Sequence, residues 1–355
     1  MHIVEKNAKK IYSHLGDEES KDVFRCRLSY SLLADEKALL PIMDGFKEKV
    51  YSDERYGQLK ETVSRCGEGA YIFGTGSYAR MLLKVCEGVR WKGFVVSSLV
   101  KDSFETYPVM GLDELERRYE GEYVFLPSKA YYEEMRERLI SIGVPSERIV
   151  DATVLFDISE GRQYFDLPYL KYGSDEVFVD CGCYDGTSAI GFLDGCKGEY
   201  KHIYAFEPDK GNLKKIENFY RNQGIDKYTL INKGVWDKDE ELAFAANSSA
   251  NSHIQGIIDK NESRIETIEV TALDKCLGDA DISFIKMDIE GAESKALCGA
   301  RDIIKRCRPK LAICVYHRPE DIWEIPELIM DIRDDYTLYL RHYSFRDTET
   351  VLYAV

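Results

Sequence analysis

The spacing of apolar positions divides the chain into three stretches. In residues 1–66, Ile11, Leu15, Phe24, Leu28, Leu32 and Leu39 recur at helical steps, with interruptions near Gly16 and Pro41. This predicts a helical segment that packs against a neighbouring domain or a second subunit. In residues 67–155 short apolar runs alternate with longer amphipathic ones. They predict strands at 71–73, 91–97 and 122–126 and helices at 81–86, 113–119 and 131–142, hence a small parallel sheet. Turn signals at Asp166-Leu167-Pro168 and Tyr172-Gly173-Ser174 mark a join. A second α/β unit follows, with strands predicted at 177–180, 202–206, 228–236, 282–287 and 310–316 and a polar helix at 212–222. The last two predicted strands, 336–343 and 350–355, have no helix between them, so the sheet closes on an antiparallel hairpin. The expected domains are 1–66, 67–155 and 156–355.

Candidate chemistry concentrates where the first strand of the second unit ends, at Asp180-Cys181-Gly182-Cys183-Tyr184-Asp185-Gly186-Thr187. Gly182 and Gly186 let the backbone come close to a ligand. The next strand ends in Glu207-Pro208, 27 positions after Asp180. A strand, a glycine turn, a helix and a second strand tipped by an acid form a nucleoside-binding unit, in which the acid accepts two hydrogen bonds from a ribose diol. A dinucleotide sets its pyrophosphate over such a turn. Asp180 opposes that anion and favours a ligand carrying an ammonium and a sulfonium. S-Adenosylmethionine carries both, and the ribose as well. The bland alternative is an acidic turn in an ordinary α/β domain.

An earlier turn, Gly74-Thr75-Gly76-Ser77-Tyr78-Ala79, resembles a dinucleotide fingerprint. The strand after it ends at Ser97-Ser98, with no acid to hold a ribose. A scaffold role is the simpler reading of that turn.

Composition narrows the partners. A net charge of −15 is a poor match for nucleic acid, whose binding gains from phosphate neutralisation. No apolar run approaches the roughly 20 residues of a membrane span, and the start of the chain lacks the apolar centre of a secretory signal. The ten cysteines form no Cys-x-x-Cys pair, so reduced thiols and a cytoplasmic location are expected.

The run Phe284-Ile285-Lys286-Met287-Asp288-Ile289-Glu290-Gly291-Ala292-Glu293 resembles the hallmark of the FkbM family of S-adenosylmethionine-dependent methyltransferases. The likeness extends upstream to the Asp180 turn, Phe206-Glu207-Pro208 and Leu273-Asp274. Downstream it takes in Gly299-Ala300, Arg308-Pro309, Val315-Tyr316-His317, Asp321 to Pro326, His342-Tyr343 and Val351 to Ala354. It covers about residues 176–355. It implies a C-terminal class I methyltransferase sheet, Rossmann-like, with the terminal hairpin. The smaller α/β domain ahead of it looks similar to one often joined to this family in bacterial glycan synthesis. The implied reaction is O-methylation of a hydroxyl on a sugar, a glycan or a similar small metabolite. Where the family turn often has Ala-Asn after its first glycine, this chain has Cys183-Tyr184.

The residues assigned to the donor are Asp180, Gly182, Cys183, Gly186, Thr187, Glu207, Pro208 and Asp288, with Val235 and Trp236 as a wall for the adenine. Asp288, Glu290 and His317 are the catalytic candidates. Methyl transfer requires an aligned nucleophile and a base, and an imidazole with a pKa of about 6.5 suits that role. Glu290 and Glu293 also suit the start of a helix by their charge alone. His342, inside a late strand, is read as structural. Asp288, Glu290 and His317 are ligand types for Mg²⁺ or Mn²⁺, but their spacing is no metal signature and no metal is assigned. The polar loop 247–253 is a candidate acceptor contact. The rival functions are an NAD-linked sugar-nucleotide enzyme built on the first glycine turn and a non-catalytic scaffold subunit of a glycan-synthesis system. An oligomer through the N-terminal helices is a further expectation.

Overall fold

The computed structural model describes residues 2–66, 69–98, 101–129, 131–159, 163–245, 253–254 and 265–355. Nearly all of the loop 247–253 lies outside them. Two compact units emerge, one of Met1–Ile42 with Gln163–Val355 and one of Met43–Arg162. The helical segment expected over 1–66 is therefore divided between them.

Unit Met43–Arg162 holds a six-stranded sheet in the order Ser103–Phe104, Tyr107–Gly111, Trp91–Val96, Ala70–Phe73, Tyr123–Leu126, Ile149–Asp151. All pairings are parallel except that of Ser103–Phe104. Tyr71, Phe73, Val95, Val124, Leu126 and Leu139 form its core. Gly74 turns with φ +106°, and Gly76 precedes the helix Ser77–Val85.

The larger unit carries the seven-stranded sheet, in the order Leu338–His342, Thr350–Ala354, Lys310–Cys314, Phe284–Met287, Glu176–Cys181, Tyr200–Phe206, Tyr228–Ile231. Five strands run parallel, and the final two join as an antiparallel hairpin. This is the class I methyltransferase order. Central strands such as Glu176–Cys181 and Phe284–Met287 are buried throughout. Burial on both faces is why they read as nearly unbroken apolar runs rather than alternating ones. Phe165 packs edge-on against Phe178 and tilted against Phe284, with centroids 5.6 and 5.4 Å away.

The strand predicted over 228–236 breaks in two. Tyr228–Ile231 stays in the large sheet, whereas Gly234–Val235 pairs with Ile265–Thr271 in a separate four-stranded sheet. Within that smaller sheet Glu240–Ala245 runs antiparallel to Ile265–Thr271.

The helix Glu18–Leu33 starts at Asp17, whose carboxylate accepts from Ser20 N at 2.9 Å. It is tied to the edge strand Leu338–His342. Leu340 N donates to Ser20 Oγ at 2.9 Å, and Arg341 Nη2 meets Asp17 Oδ2 at 2.6 Å. Pro41, expected to interrupt a helix, instead lies in the first turn of Leu40–Ser52, where a missing N–H costs nothing.

Candidate active site

Strand Glu176–Cys181 delivers Gly182 with φ +78° to the C-terminal edge of the sheet. A Cβ there would stand 2.0 Å from the Asp288 carbonyl oxygen. Only hydrogen fits, so the close approach of two neighbouring strand ends dictates this glycine. Gly186, at φ +82°, similarly faces the Tyr220 ring, 2.8 Å from a Cβ. The amides of Gly182 and Cys183 both donate to Phe206 O, at 3.1 and 3.2 Å. Cys183 is buried, and burial pushes its thiol well above the ordinary range. Thr187 is exposed, and its amide and hydroxyl donate to Asp185 Oδ1 at 3.0 and 2.7 Å.

Glu207 ends the neighbouring strand and is buried. Its Oε2 accepts from Tyr184 N at 3.0 Å, and its Oε1 from Asp209 N at 2.9 Å. Burial pushes it up to about 7, against the pull of the Asp209 amide. Asn232 Nδ2 donates to the carbonyls of Glu207 and Pro208, at 2.9 and 3.0 Å, and so fixes this tip. The carboxylate thus bridges the second strand end and the glycine turn.

Asp180 is placed differently from expectation. It is wholly buried and faces Lys286 Nζ at 3.1 Å, while Ser188 Oγ donates to its other oxygen. Lys286 is buried too and donates to Gly182 O at 2.7 Å. Burial works against the ammonium charge, but Asp180 and then Asp288 outweigh it and hold the lysine above its ordinary pKa. The negative charge invoked to attract a cationic ligand is therefore neutralised inside the protein. The signal for Lys286 was present in the sequence as the one cation in an apolar strand. A buried lysine needs a partner, and the parallel register sets Lys286 opposite Asp180.

The wall expected from Val235 and Trp236 also moves. Val235 pairs with Thr271 in the smaller sheet, and the indole packs on the Ile268 and Val270 cluster, with Lys295 Nζ 5.8 Å from its ring. The chain leaves the large sheet at Asn232, so these residues follow the second sheet.

Asp288, Glu290, Glu293 and His317 come together beyond strands Phe284–Met287 and Lys310–Cys314. Asp288 Oδ2 accepts from Tyr164 Oη at 2.8 Å, and Oδ1 from Tyr316 Oη at 3.3 Å. His317 Nε2 lies 3.4 Å from Asp288 Oδ1 and 3.7 Å from Glu290 Oε2. On its other side, Nδ1 lies 3.0 Å from Glu293 Oε1. That oxygen also accepts from Ile289 N at 2.9 Å, and Glu293 is fully buried. Glu290 (φ +55°) and Gly291 (φ +92°) form a left-handed turn that carries the chain into the helix Glu293–Cys298.

This crowd of acids changes the imidazole. Burial alone lowers its pKa, but Glu293, Asp288 and Glu290 raise it to about 10. The free-solution value of about 6.5 on which the base assignment was made does not carry over: the surrounding acids favour the imidazolium. Burial pushes Glu290 up to about 7, with His317 opposing. Asp288 is raised by burial but ends below its usual value because of Lys286 and then His317. Glu290 is 29 % exposed, against 8 % for His317 and 0 % for Glu293. Asp288, at 25 %, is nearly as exposed. Atoms of Asp288, Glu293 and His317 lie within 4.8 Å of one another, close enough to share a cation. The proton on His317 meets the same need for positive charge. Glu293, first explained by helix charge, is the residue that the sequence reading underrated.

His342 is buried, with Nδ1 2.9 Å from Thr350 Oγ1. Burial holds it neutral, down at about 3.

A parallel sheet of this order, with a glycine turn, an acid-tipped second strand and a carboxylate cluster after the fourth, defines a class I methyltransferase. Residues 180–346 match the model of the methyltransferase FkbM domain. This part of the chain belongs to that family, and the chain is an S-adenosylmethionine-dependent methyltransferase. Among solved structures, methyltransferase FkbM from Methylobacillus flagellatus KT is similar, with 20% identity and a TM-score of 0.48 over 90% of this chain and 100% of that one. An rRNA methylase from Streptococcus thermophilus has 19% identity and a TM-score of 0.33, over 51% and 86% of the two chains. Fibrillarin from Aeropyrum pernix, solved with bound S-adenosyl-L-methionine, has 12% identity and a TM-score of 0.33, over 52% and 70%. Among curated proteins, none matches.

Proposed function

We propose that the chain transfers a methyl group from S-adenosylmethionine to a hydroxyl of a sugar, a glycan or a similar small metabolite. The observation that carries this reading is a carboxylate site on each side of the glycine turn, at the ends of the two strands that flank Glu176–Cys181. Glu207, beside the glycine turn, is the acid for the donor ribose. Asp288, Glu290 and His317 form the acceptor side. Gly182, Cys183, Gly186, Thr187 and Pro208 line the donor turn in this reading, whereas Asp180 acts through Lys286 as internal support.

The reaction is an in-line displacement at the sulfonium methyl. The new O–CH₃ bond forms as the S–CH₃ bond breaks, and the hydroxyl loses its proton. Glu290 is the assigned acceptor of that proton because it is the most accessible acid of the cluster. The His317 imidazolium, held by Glu293, steadies the carboxylates and the oxygen as charge develops. No described helix is long and apolar enough to cross a membrane. All ten cysteines are free, which fits our reading of a cytoplasmic enzyme.

Calorimetric titration with S-adenosylmethionine and S-adenosylhomocysteine tests this function. Binding of both is expected, with a loss of at least about tenfold in Glu207→Ala. Undiminished binding by that variant would remove Glu207 from the donor site.

A further inference from the structure

We infer that Tyr164, which lies ahead of the segment matching the family, is a positioning residue for the acceptor side. This rests on the methyltransferase reading and deepens it. The matched segment begins at residue 180, yet the shortest hydrogen bond to Asp288 comes from Tyr164 Oη, at 2.8 Å. A carboxylate turns easily about its last torsion, because that rotation has only broad, two-fold minima. Holding one oxygen leaves it free to swing, whereas holding both sets its plane. Tyr164 takes Oδ2, and Tyr316, at 3.3 Å, takes Oδ1. The second oxygen then stays turned toward His317, 3.4 Å away.

The backbone around Tyr164 is arranged to present this hydroxyl. Its φ is +76°, a left-handed conformation that a bulky aromatic residue rarely adopts. Such strain persists only where neighbours over-determine it. Tyr164 N donates to Tyr353 Oη at 3.1 Å, and Tyr353 Oη is 2.6 Å from Tyr343 Oη, which in turn donates to Asp166. Gln163 Nε2 reaches Glu349 Oε2 at 2.7 Å and Tyr164 Oη at 3.2 Å. Lys286 Nζ lies 5.2 Å from the ring centroid, within cation–π range. The next residue, Phe165, anchors the segment in the core. Tyr164 is buried, so its hydroxyl is directed at Asp288 rather than at solvent.

The test is Tyr164→Phe, which keeps the ring and removes only the hydroxyl. The first readout needs no acceptor. In protein labelled with ¹³C at the aspartate Cγ, the Asp288 signal is assigned by its loss in Asp288→Asn. Its titration midpoint is expected to rise by about one pH unit in Tyr164→Phe, since a donor to the ionised form is lost. The second is turnover, read as S-adenosylhomocysteine formed with a panel of methyl glycosides. It should fall about tenfold, with donor affinity held within about twofold. In an Asp288→Asn background, whose residual turnover is measured at high enzyme concentration, the same Phe substitution should leave the rate unchanged. An unmoved midpoint, or a rate loss of equal size in both backgrounds, overturns the assignment. So does a Tyr164→Phe protein that fails to fold, because the hydroxyl would then be structural. Donor binding to the parent chain, measured by calorimetry, reports separately on the methyltransferase reading.

Discussion

Lys286 and Asp180 form an ion pair at 3.1 Å across two adjacent parallel strands, and both are sealed from solvent. Removing one member strands the other as an unpaired buried charge. Lys286→Met should therefore cost about 3–5 kcal/mol, far more than its change in volume implies. Asp180→Asn combined with Lys286→Met should recover much of that loss. Urea unfolding of the parent, Lys286→Met and the double variant checks this. Equal destabilisation in the single and double variants would show that the pair is not what matters.

Donor affinity should depend on pH through Glu207. Its burial-raised value of about 7 means that acid protonates it in the unliganded chain. A ribose diol donates hydrogen bonds, so the ionised carboxylate is the binding form. Affinity is expected to hold above that value and to fall as pH drops through it, approaching tenfold per pH unit. Calorimetry at several pH values measures the slope, which Glu207→Gln should flatten while lowering affinity throughout.

Two glycines with similar backbones should respond very differently to alanine. Gly182 and Gly224 have φ of +78° and +71°. A Cβ at Gly224 meets nothing within 4 Å, so Gly224→Ala should cost only about 1–2 kcal/mol of left-handed strain. At Gly182 it meets the Asp288 carbonyl at 2.0 Å, and the strand ends must part. Gly182→Ala should therefore lower thermal stability much more and abolish donor binding, as a melting scan with and without S-adenosylhomocysteine would show.

The strand order and terminal hairpin were legible in the sequence because buried parallel strands are apolar runs and each ends at a polar residue. Gly182, Glu207 and Asp288 were legible for the same reason, as abrupt changes of character at strand tips. Contacts between distant segments were not. Nothing in the local pattern tells that Lys286 meets Asp180, because that depends on register. The break after Ile231 was hidden because Gly234-Val235-Trp236 has the composition of a continuing strand. The imidazole was misjudged because a free-solution pKa contains no neighbours, and Glu293 reaches it across the fold. Tyr164 was invisible, since a tyrosine in a joining segment carries no motif.

Stability at acid pH should be limited by two groups at the edge strand Leu338–His342: His342 within it and Asp17 at the start of the helix Glu18–Leu33 tied to it. His342 is held at about 3 chiefly by burial, against an ordinary value of 6.5. Asp17 lies at about 2, where burial, which raises it, is outweighed by Arg341 and Ser20. Both values are depressed on folding, so both groups contribute stability that is complete above their unfolded pKa. As pH falls, His342 loses its share between 6.5 and about 3 and Asp17 between 3.8 and about 2, because the unfolded chain binds the extra protons. His342→Gln can keep a hydrogen bond to Thr350 and cannot ionise. It should lose less stability than the parent between neutral pH and pH 4 or so, even if it starts lower at neutral pH. Urea midpoints measured across that range decide the matter, and parallel curves for the two proteins would place the acid sensitivity elsewhere.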